Sequence, residues 1–501
     1  MEAITLFLNG CGTVFSLTSF SWIIFGTMLG LLVGAVPGFT SSMATGLLLP
    51  ITFAMEPVYA MIFLISVYIS AIYGGSITAI LLNTPGTPES SATTFDGYEL
   101  TQKGMGNEAL GVAFFSSAMG GLMSYTAMLF MMTPFAKLAL KFGPPEMFLI
   151  ALLGVSVLAV MATTSPAKVL ISGLFGLLLG TMGVVPTGEW RATFGSLYLT
   201  DGIQVVPAIV GFFAMSEVFN MAARDNIIKS GFKFQCSIKA IIRGMFMAMK
   251  YPKTIFRSAF LGFIIGIIPA AGASVAAFVG YGEAKRLSKT PELFGTGTPE
   301  GVCAPETANN ASTGGDLITT FALGVPGSST CAVLMGALMI QGLRPGPQLL
   351  REQMPLIYTI IAAAIIAQAI MIVMSVAMGY TFTHMMNVST KILAPCLIFF
   401  CIVGAFAVRS APFDVWIMLA FGVMGWFMRR SGYSLAAAVL GVVLGAIADN
   451  ELIRTYTIFG SDTPFCFFNR PLSLVILGFI LLGFVHREYT KRKANKSKEA
   501  M

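Results

Sequence analysis

The chain has 501 residues, of which 56% are hydrophobic and only 11% charged. A typical soluble domain is about 25% charged, so the composition excludes an ordinary soluble protein and fits one embedded in a bilayer. The net charge of +7 is concentrated in two stretches that abut apolar runs, which favours anionic lipid headgroups over nucleic acid as their partner.

In chain order, Met1-Glu2-Ala3 lacks the positive n-region of a cleavable signal peptide, so the first apolar run is expected to remain as membrane structure. Windows without Asp, Glu, Lys or Arg then recur at 3–55, 57–88, 109–136, 258–282, 353–390 and 392–408. At about 1.5 Å per helical residue and about 20 residues per span, these imply roughly a dozen transmembrane or half-spanning helices. The short alternating strands of a β-barrel are absent. The expectation is an all-α polytopic membrane protein.

Four regions follow from the charge pattern. Residues 1–222 form a first transmembrane repeat and 258–465 a second. Between them, 223–257 holds eight basic side chains (Arg224, Lys229, Lys233, Lys239, Arg243, Lys250, Lys253, Arg257) against Asp225 alone, which places it on the cytoplasmic side. Its Ile238, Ile241, Ile242, Met245 and Met249 recur at helical spacing, as in an interfacial helix lying on the inner leaflet. Residues 466–501 supply a last helix and a basic cytoplasmic tail.

The two repeats share motifs. Gly30, Gly34 and Pro37 recur as Gly262, Gly266 and Pro269, each 232 residues later (262 − 30 = 232). Gly74-Gly75 match Gly314-Gly315 at an offset of 314 − 74 = 240, and Pro85-Gly86 match Pro326-Gly327 at 326 − 85 = 241. Pro326 falls midway in the uncharged run 317–343, where its missing N–H and its ring break a continuous helix. Such a break is tolerated at membrane depth only where the bare backbone faces protein, a cavity or a ligand. Matching interruptions in two halves point to a transporter site. A cytoplasmic linker together with an uncharged start after Glu2 favours opposite orientations for the halves, the inverted-repeat design.

The candidate substrate-binding residues lie in these breaks: Gly38, Thr40, Ser41 and Ser42; Asn83, Thr84, Pro85, Gly86 and Thr87; Ala271, Gly272 and Ser274; and Pro326, Gly327, Ser328, Ser329 and Thr330. Freed N–H groups at helix starts carry partial positive charge and suit a carboxylate, and the hydroxyls add hydrogen bonds. The competing account is that small residues simply let helices pack closely. Four paired motifs favour the site. Asn309, Asn310 and Asp316 offer hard oxygens to a coupling cation, with Ser76 aligned to Asp316 at 316 − 76 = 240. Asp316 reads equally well as a helix N-cap at the membrane edge, and Glu306 as part of a polar loop. Arg409, Arg429 and Arg430 read first as span-end residues snorkelling to headgroups, with a smaller case for Arg409 meeting an anionic substrate. Seven cysteines and two histidines show no CxxC and no metal-ligand spacing, so the cysteines read as small apolar side chains.

Gly34-Ala-Val-Pro-Gly38, Tyr73-Gly-Gly-Ser-Ile-Thr-Ala-Ile-Leu-Leu-Asn-Thr-Pro-Gly86, Asp96-Gly-Tyr98, Ala304-Pro-Glu-Thr-Ala-Asn-Asn-Ala311 and Gly342-Leu-Arg-Pro-Gly-Pro347 resemble the large permease subunit of the bacterial tripartite tricarboxylate transporters. The resemblance implies a secondary transporter of the inner membrane that takes up citrate-like carboxylates on a sodium or proton gradient. It also implies two partners, a small membrane subunit and a periplasmic solute-binding protein, and no organic cofactor; a homodimer is compatible with it. Phe39-Thr40 after Gly38, and Thr84 and Thr87 around the first Pro-Gly, depart from the pattern and bear on which carboxylate fits. A passive organic-anion channel is the alternative, but it needs a continuous polar lining, whereas the polar groups here cluster at four breaks. A membrane enzyme has no support: HExxH and GxSxG are both absent.

Overall fold

The computed structural model describes residues 2–36, 39–160, 165–185, 187–222, 236–385 and 390–482. The first half consists of α1 (Glu2–Val14), α2 (Leu17–Gly34), α3 (Ser41–Leu48), α4 (Pro57–Leu82), α5 (Thr94–Gln102), α6 (Gly106–Ala139), α7 (Pro144–Val160), α8 (Pro166–Gly180), α9 (Val205–Ile209) and α10 (Ser216–Ala222). The second consists of α11 (Ile238–Ala248), α12 (Pro252–Ile267), α13 (Gly272–Leu287), α14 (Pro299–Leu323), α15 (Ser329–Ile340), α16 (Pro347–Glu352), α17 (Met354–Met385), α18 (Thr390–Ala407), α19 (Pro412–Arg430), α20 (Leu435–Phe459) and α21 (Thr463–Asn469). Among the described residues, five segments are long and apolar enough to cross a membrane (Leu17–Gly34, Pro57–Leu82, Gly106–Ala139, Met354–Ala377 and Leu435–Asn469), and several shorter apolar helices accompany them. Among the described residues, strand is confined to Gly183–Val184 paired with Trp190–Arg191. The protein is an all-α polytopic membrane protein.

The two repeats are assembled by the same contact. In lipid, helices gain from close backbone approach through small residues rather than from a hydrophobic drive. A Cβ at Gly30 or Gly34 of α2 would lie 2.5 Å from the Val67 carbonyl and 2.1 Å from the Ala71 carbonyl of α4. A Cβ at Gly262 or Gly266 of α12 would lie 2.2 Å from the Ala308 carbonyl and 2.1 Å from the Ser312 carbonyl of α14. Val67 and Ala71 therefore correspond to Ala308 and Ser312, an offset of 308 − 67 = 241. Gly74 against the Leu31 carbonyl likewise matches Gly315 against that of Phe263, 315 − 74 = 241.

This corrects the alignment of the Gly-Gly pairs at 240. Helix phase sets the equivalence, and it pairs Gly75 with Asp316 and Ser76 with Leu317. A second correction concerns residues 299–311. Instead of a polar loop, they form the first half of a 25-residue helix whose residues from Gly301 to Ala322 are buried. Polar composition resembles a loop, but side chains partnered by neighbouring helices make a buried helix equally stable.

Helix α11 lies where the interfacial helix was expected. Ala240, Ile241, Gly244 and Ala248 are buried, with Gly244 against the Glu108 carbonyl of α6 and Arg243 paired to Glu108 at 2.8 Å. Ile238, Ile242, Phe246 and Met249 are exposed. The helix thus docks on protein through one face and presents apolar side chains on another. Linker residues 223–235 and the tail 483–501 lie outside the described residues.

Candidate functional site

The breaks expected after α4 and within the run 317–343 exist. Helix α4 ends at Leu82 with Asn83 in the left-handed region (φ 54°), and α14 ends at Leu323 with Gly324 likewise left-handed (φ 68°). Each chain then turns at a Pro-Gly and folds back along the helix it has just left. The Gly86 N–H donates to the Gly75 carbonyl at 3.1 Å. A Cβ at Gly86 would lie 2.3 Å from the Gly34 carbonyl, and one at Gly327 would lie 2.5 Å from the Asp316 Cα. No real Cβ fits at such distances, so glycine is required in both bends.

After the second bend, Ser328 caps α15 by accepting the Cys331 N–H. Thr40 caps α3 by accepting the Met43 N–H. These two helix starts meet. Ser42 bonds Ser329 at 3.0 Å and Ser41 bonds Thr330 at 2.8 Å, a crossed pairing in which one chain index rises as the other falls. Two positive dipole ends therefore converge on a small cluster of hydroxyls, which favours negative charge there.

Carboxyl groups already border this cluster. The Ser41 hydroxyl donates to Glu89 Oε1 at 2.7 Å, and the buried Oε2 accepts no hydrogen bond. Tyr68 of α4 donates to Asp316 Oδ2 at 2.6 Å and lies 3.4 Å from the Ser328 hydroxyl. Asp316 is wholly buried inside α14, which removes its reading as an N-cap. The Asn309 amide nitrogen donates to the Glu89 main-chain carbonyl at 3.2 Å, while Asn309 Oδ1 and both amide atoms of Asn310 are buried without hydrogen-bond partners. Asn309 Oδ1 and Asn310 Oδ1 are thus two buried oxygens with unused acceptor capacity in the same helix as Asp316, the kind of hard donor a cation would use. No group of three or more His, Cys, Asp or Glu side chains gathers as a metal site among the described residues.

The predicted site residues divide as follows. Thr40, Ser41, Ser42, Ser328, Ser329 and Thr330 come together at the paired helix starts. Pro85, Gly86, Pro326 and Gly327 form the bends. Thr87 is buried and lies 3.5 Å from the Ser90 hydroxyl. Ala271 and Gly272 open α13, with the Ala270 N–H donating to the Pro326 carbonyl at 3.3 Å and Gly272 facing the Ser328 side chain; Ser274 is half-buried nearby in the helix. Asn83 and Thr84 are exposed, and Thr84 bonds the Leu82 carbonyl, so they belong to the turn rather than the cluster. The Ser76 hydroxyl donates within its own helix, to the Tyr73 carbonyl at 2.7 Å. Gly38 and the preceding Pro37 lie outside the described residues.

Sequence reasoning missed Glu89 and Tyr68. Glu89 carried a signal, since it lies 241 residues before Thr330, whereas Tyr68, one of three tyrosines in α4, carried none. The loop reading of Glu306 is overturned: wholly buried in α14, its carboxylate meets Thr93 at 2.5 Å and Ser117 at 2.6 Å. Arg409 pairs with Asp414 at 2.5 Å and reaches Asp201 at 3.8 Å, so protein carboxylates already hold it. Arg429 pairs with Glu217, and Arg430 stacks 3.9 Å over the Trp426 ring.

The family model described as the tripartite tricarboxylate transporter TctA family matches residues 20–440, a span that contains both broken helices and the hydroxyl cluster between them. The chain belongs to the tripartite tricarboxylate transporter TctA family. This TctA-family chain is also similar to an uncharacterized 52.8 kDa protein from the TAR-I ttuC' 3' region of Agrobacterium vitis, 34% identical over 95% of this chain and 94% of that protein. A protein from the TAR-II ttuC' 3' region of the same organism is 32% identical over 45% of this chain and 91% of its own length. No solved structure matches. TctA is a transporter family, and its tripartite systems pair the large permease with a small membrane subunit and a periplasmic binding protein.

Proposed function

We infer that the chain is the permease of a binding-protein-dependent uptake system for a citrate-like di- or tricarboxylate in the bacterial inner membrane. The reading rests on one observation, the meeting of the α3 and α15 starts through Ser41–Thr330 and Ser42–Ser329. One substrate carboxylate takes the freed N–H groups and hydroxyls there. Among the described residues no lysine or arginine is bonded into the cluster, so main-chain dipoles carry the recognition.

A multivalent anion beside Glu89 and Asp316 needs compensating positive charge. Sodium or a proton supplies it, with Asp316, Asn309 and Asn310 as the coupling set. Uptake then depends on the cation gradient, and the two repeats alternate access in inverted orientations, with the broken-helix core moving in an elevator-like manner against the outer helices. Helix α11 rests on the inner leaflet through its exposed Ile238, Ile242, Phe246 and Met249.

Counterflow of labelled citrate into proteoliposomes tests this against a passive channel. A carrier accumulates label against preloaded unlabelled citrate and responds to an imposed sodium or proton gradient. Label that merely equilibrates, indifferent to preloading, would instead mark a pore. A second panel of short organic acids distinguishes a citrate-like substrate from a smaller one.

A further inference from the structure

The Glu89 carboxylate sits among the donors assigned above to substrate. It accepts the Ser41 hydroxyl at 2.7 Å, while Ser41 is also 2.8 Å from Thr330 at the start of α15. Its other oxygen is buried with no hydrogen bond, although no lysine or arginine pairs with it in any ion pair among the described residues. It lies on the one-turn 3-10 segment Pro88–Ser90, three residues past the Gly86 bend, and its main-chain carbonyl is held by Asn309. The backbone is therefore tied down while the side chain has a single direct hydrogen bond to release.

We propose that Glu89 is a tethered competitor: its carboxylate fills the anion seat at the paired α3 and α15 starts and must withdraw before a substrate carboxylate can take the same hydroxyls. This rests on the reading of that seat as the substrate site. Two carboxylates cannot share the Ser41 donor, and like charges at contact distance repel strongly in a water-poor surround. The apparent affinity for substrate is then the intrinsic affinity reduced by the fraction of molecules in which the seat is vacated. Glu89 thereby sets affinity and prevents the converging dipole ends from standing without an anion.

The test is citrate binding to the purified full-length protein by calorimetry, at fixed sodium and pH. Glu89→Gln removes the competing charge, and Glu89→Asp keeps the charge but falls one methylene short of Ser41. The expected order of affinity is Gln tightest, then Asp, then wild type, with Gln gaining roughly three- to tenfold if the seat is mostly filled in the resting protein. Exposed Glu99→Gln is expected to bind as wild type does. Wild type binding as tightly as Glu89→Gln, or more tightly, overturns the competitor and makes Glu89 a cation ligand or a bystander, while leaving the site reading intact. Citrate, succinate and malate all failing to bind wild type and both variants overturns the site reading, and the competitor with it. Thermal unfolding separates misfolding from both: a folded Glu89→Gln is expected to gain more midpoint from added citrate than wild type, and an equal or smaller gain counts against the proposal.

Discussion

Glu89 and Thr330 occupy equivalent positions in the two repeats, 330 − 89 = 241, and both bond one hydroxyl, that of Ser41, at 2.7 and 2.8 Å. The pseudo-symmetric halves thus meet at a point where their side chains differ, an acid from one and a hydroxyl from the other. Asp316 shows the same asymmetry, because its counterpart is Gly75. Each half contributes one carboxylate where the other has none, and both carboxylates border the same hydroxyl cluster. Symmetry builds the scaffold and its breaking supplies the charge.

The bends can be tested directly. Pro326→Ala with Gly327→Leu restores helix propensity and forces a side chain onto the Asp316 backbone, where a Cβ already falls 2.5 Å from the Cα. Citrate uptake into proteoliposomes is expected to vanish while the protein still inserts and purifies. Normal transport by this variant would remove the broken helix from the site.

Asp316 and Tyr68 form a second test. Asp316→Asn is expected to change the sodium and pH response of uptake, whereas an unaltered response would remove Asp316 from coupling. Tyr68→Phe strips the 2.6 Å donor from that carboxylate. Hydrogen bonds to charged groups contribute about 1.5–3 kcal/mol, so thermal unfolding should show a loss of that order. Sodium dependence should shift in the same direction as in Asp316→Asn.

Arg409 is predicted to be structural. Asp414 beside it is wholly buried, and stripping the partner from a buried charge costs on the order of 3 kcal/mol. Arg409→Gln should therefore lower the unfolding midpoint and leave the citrate concentration for half-maximal uptake unchanged. A large rise in that concentration at an unchanged midpoint would place the guanidinium at the substrate.

Helix approach gives a paired prediction. At Gly266 an added Cβ meets the Ser312 carbonyl at 2.1 Å, whereas at Gly282 nothing lies within 4 Å. Gly266→Ala should destabilise by about 1–3 kcal/mol through overpacking. Gly282→Ala, inside α13, should stabilise by roughly 0.5–1 kcal/mol through backbone entropy. Equal midpoints for the two variants in thermal unfolding would contradict the observed packing.

The sequence by itself determined the membrane class and both helix breaks. Charge depletion is a bulk property, and Pro326 and Gly327 act within one turn of chain, so neither depends on what lies across the fold. It also located the hydroxyls at the α3 and α15 starts, because capping residues act over three or four positions. Only the tertiary structure decided the rest. The carboxylates of Glu306 and Asp316 lie inside a helix and take their hydrogen bonds from α4 (Tyr68), α6 (Ser117) and the segment before α5 (Thr93), and such partners are invisible to local composition. The extension of the 241-residue register to the Gly-Gly pairs, the removal of Asn83 and Thr84 from the cluster, and the arrival of Glu89 at Ser41 all follow from which faces the helices turn toward one another. Those faces are set by backbone approach at glycine, a contact between residues far apart in the chain.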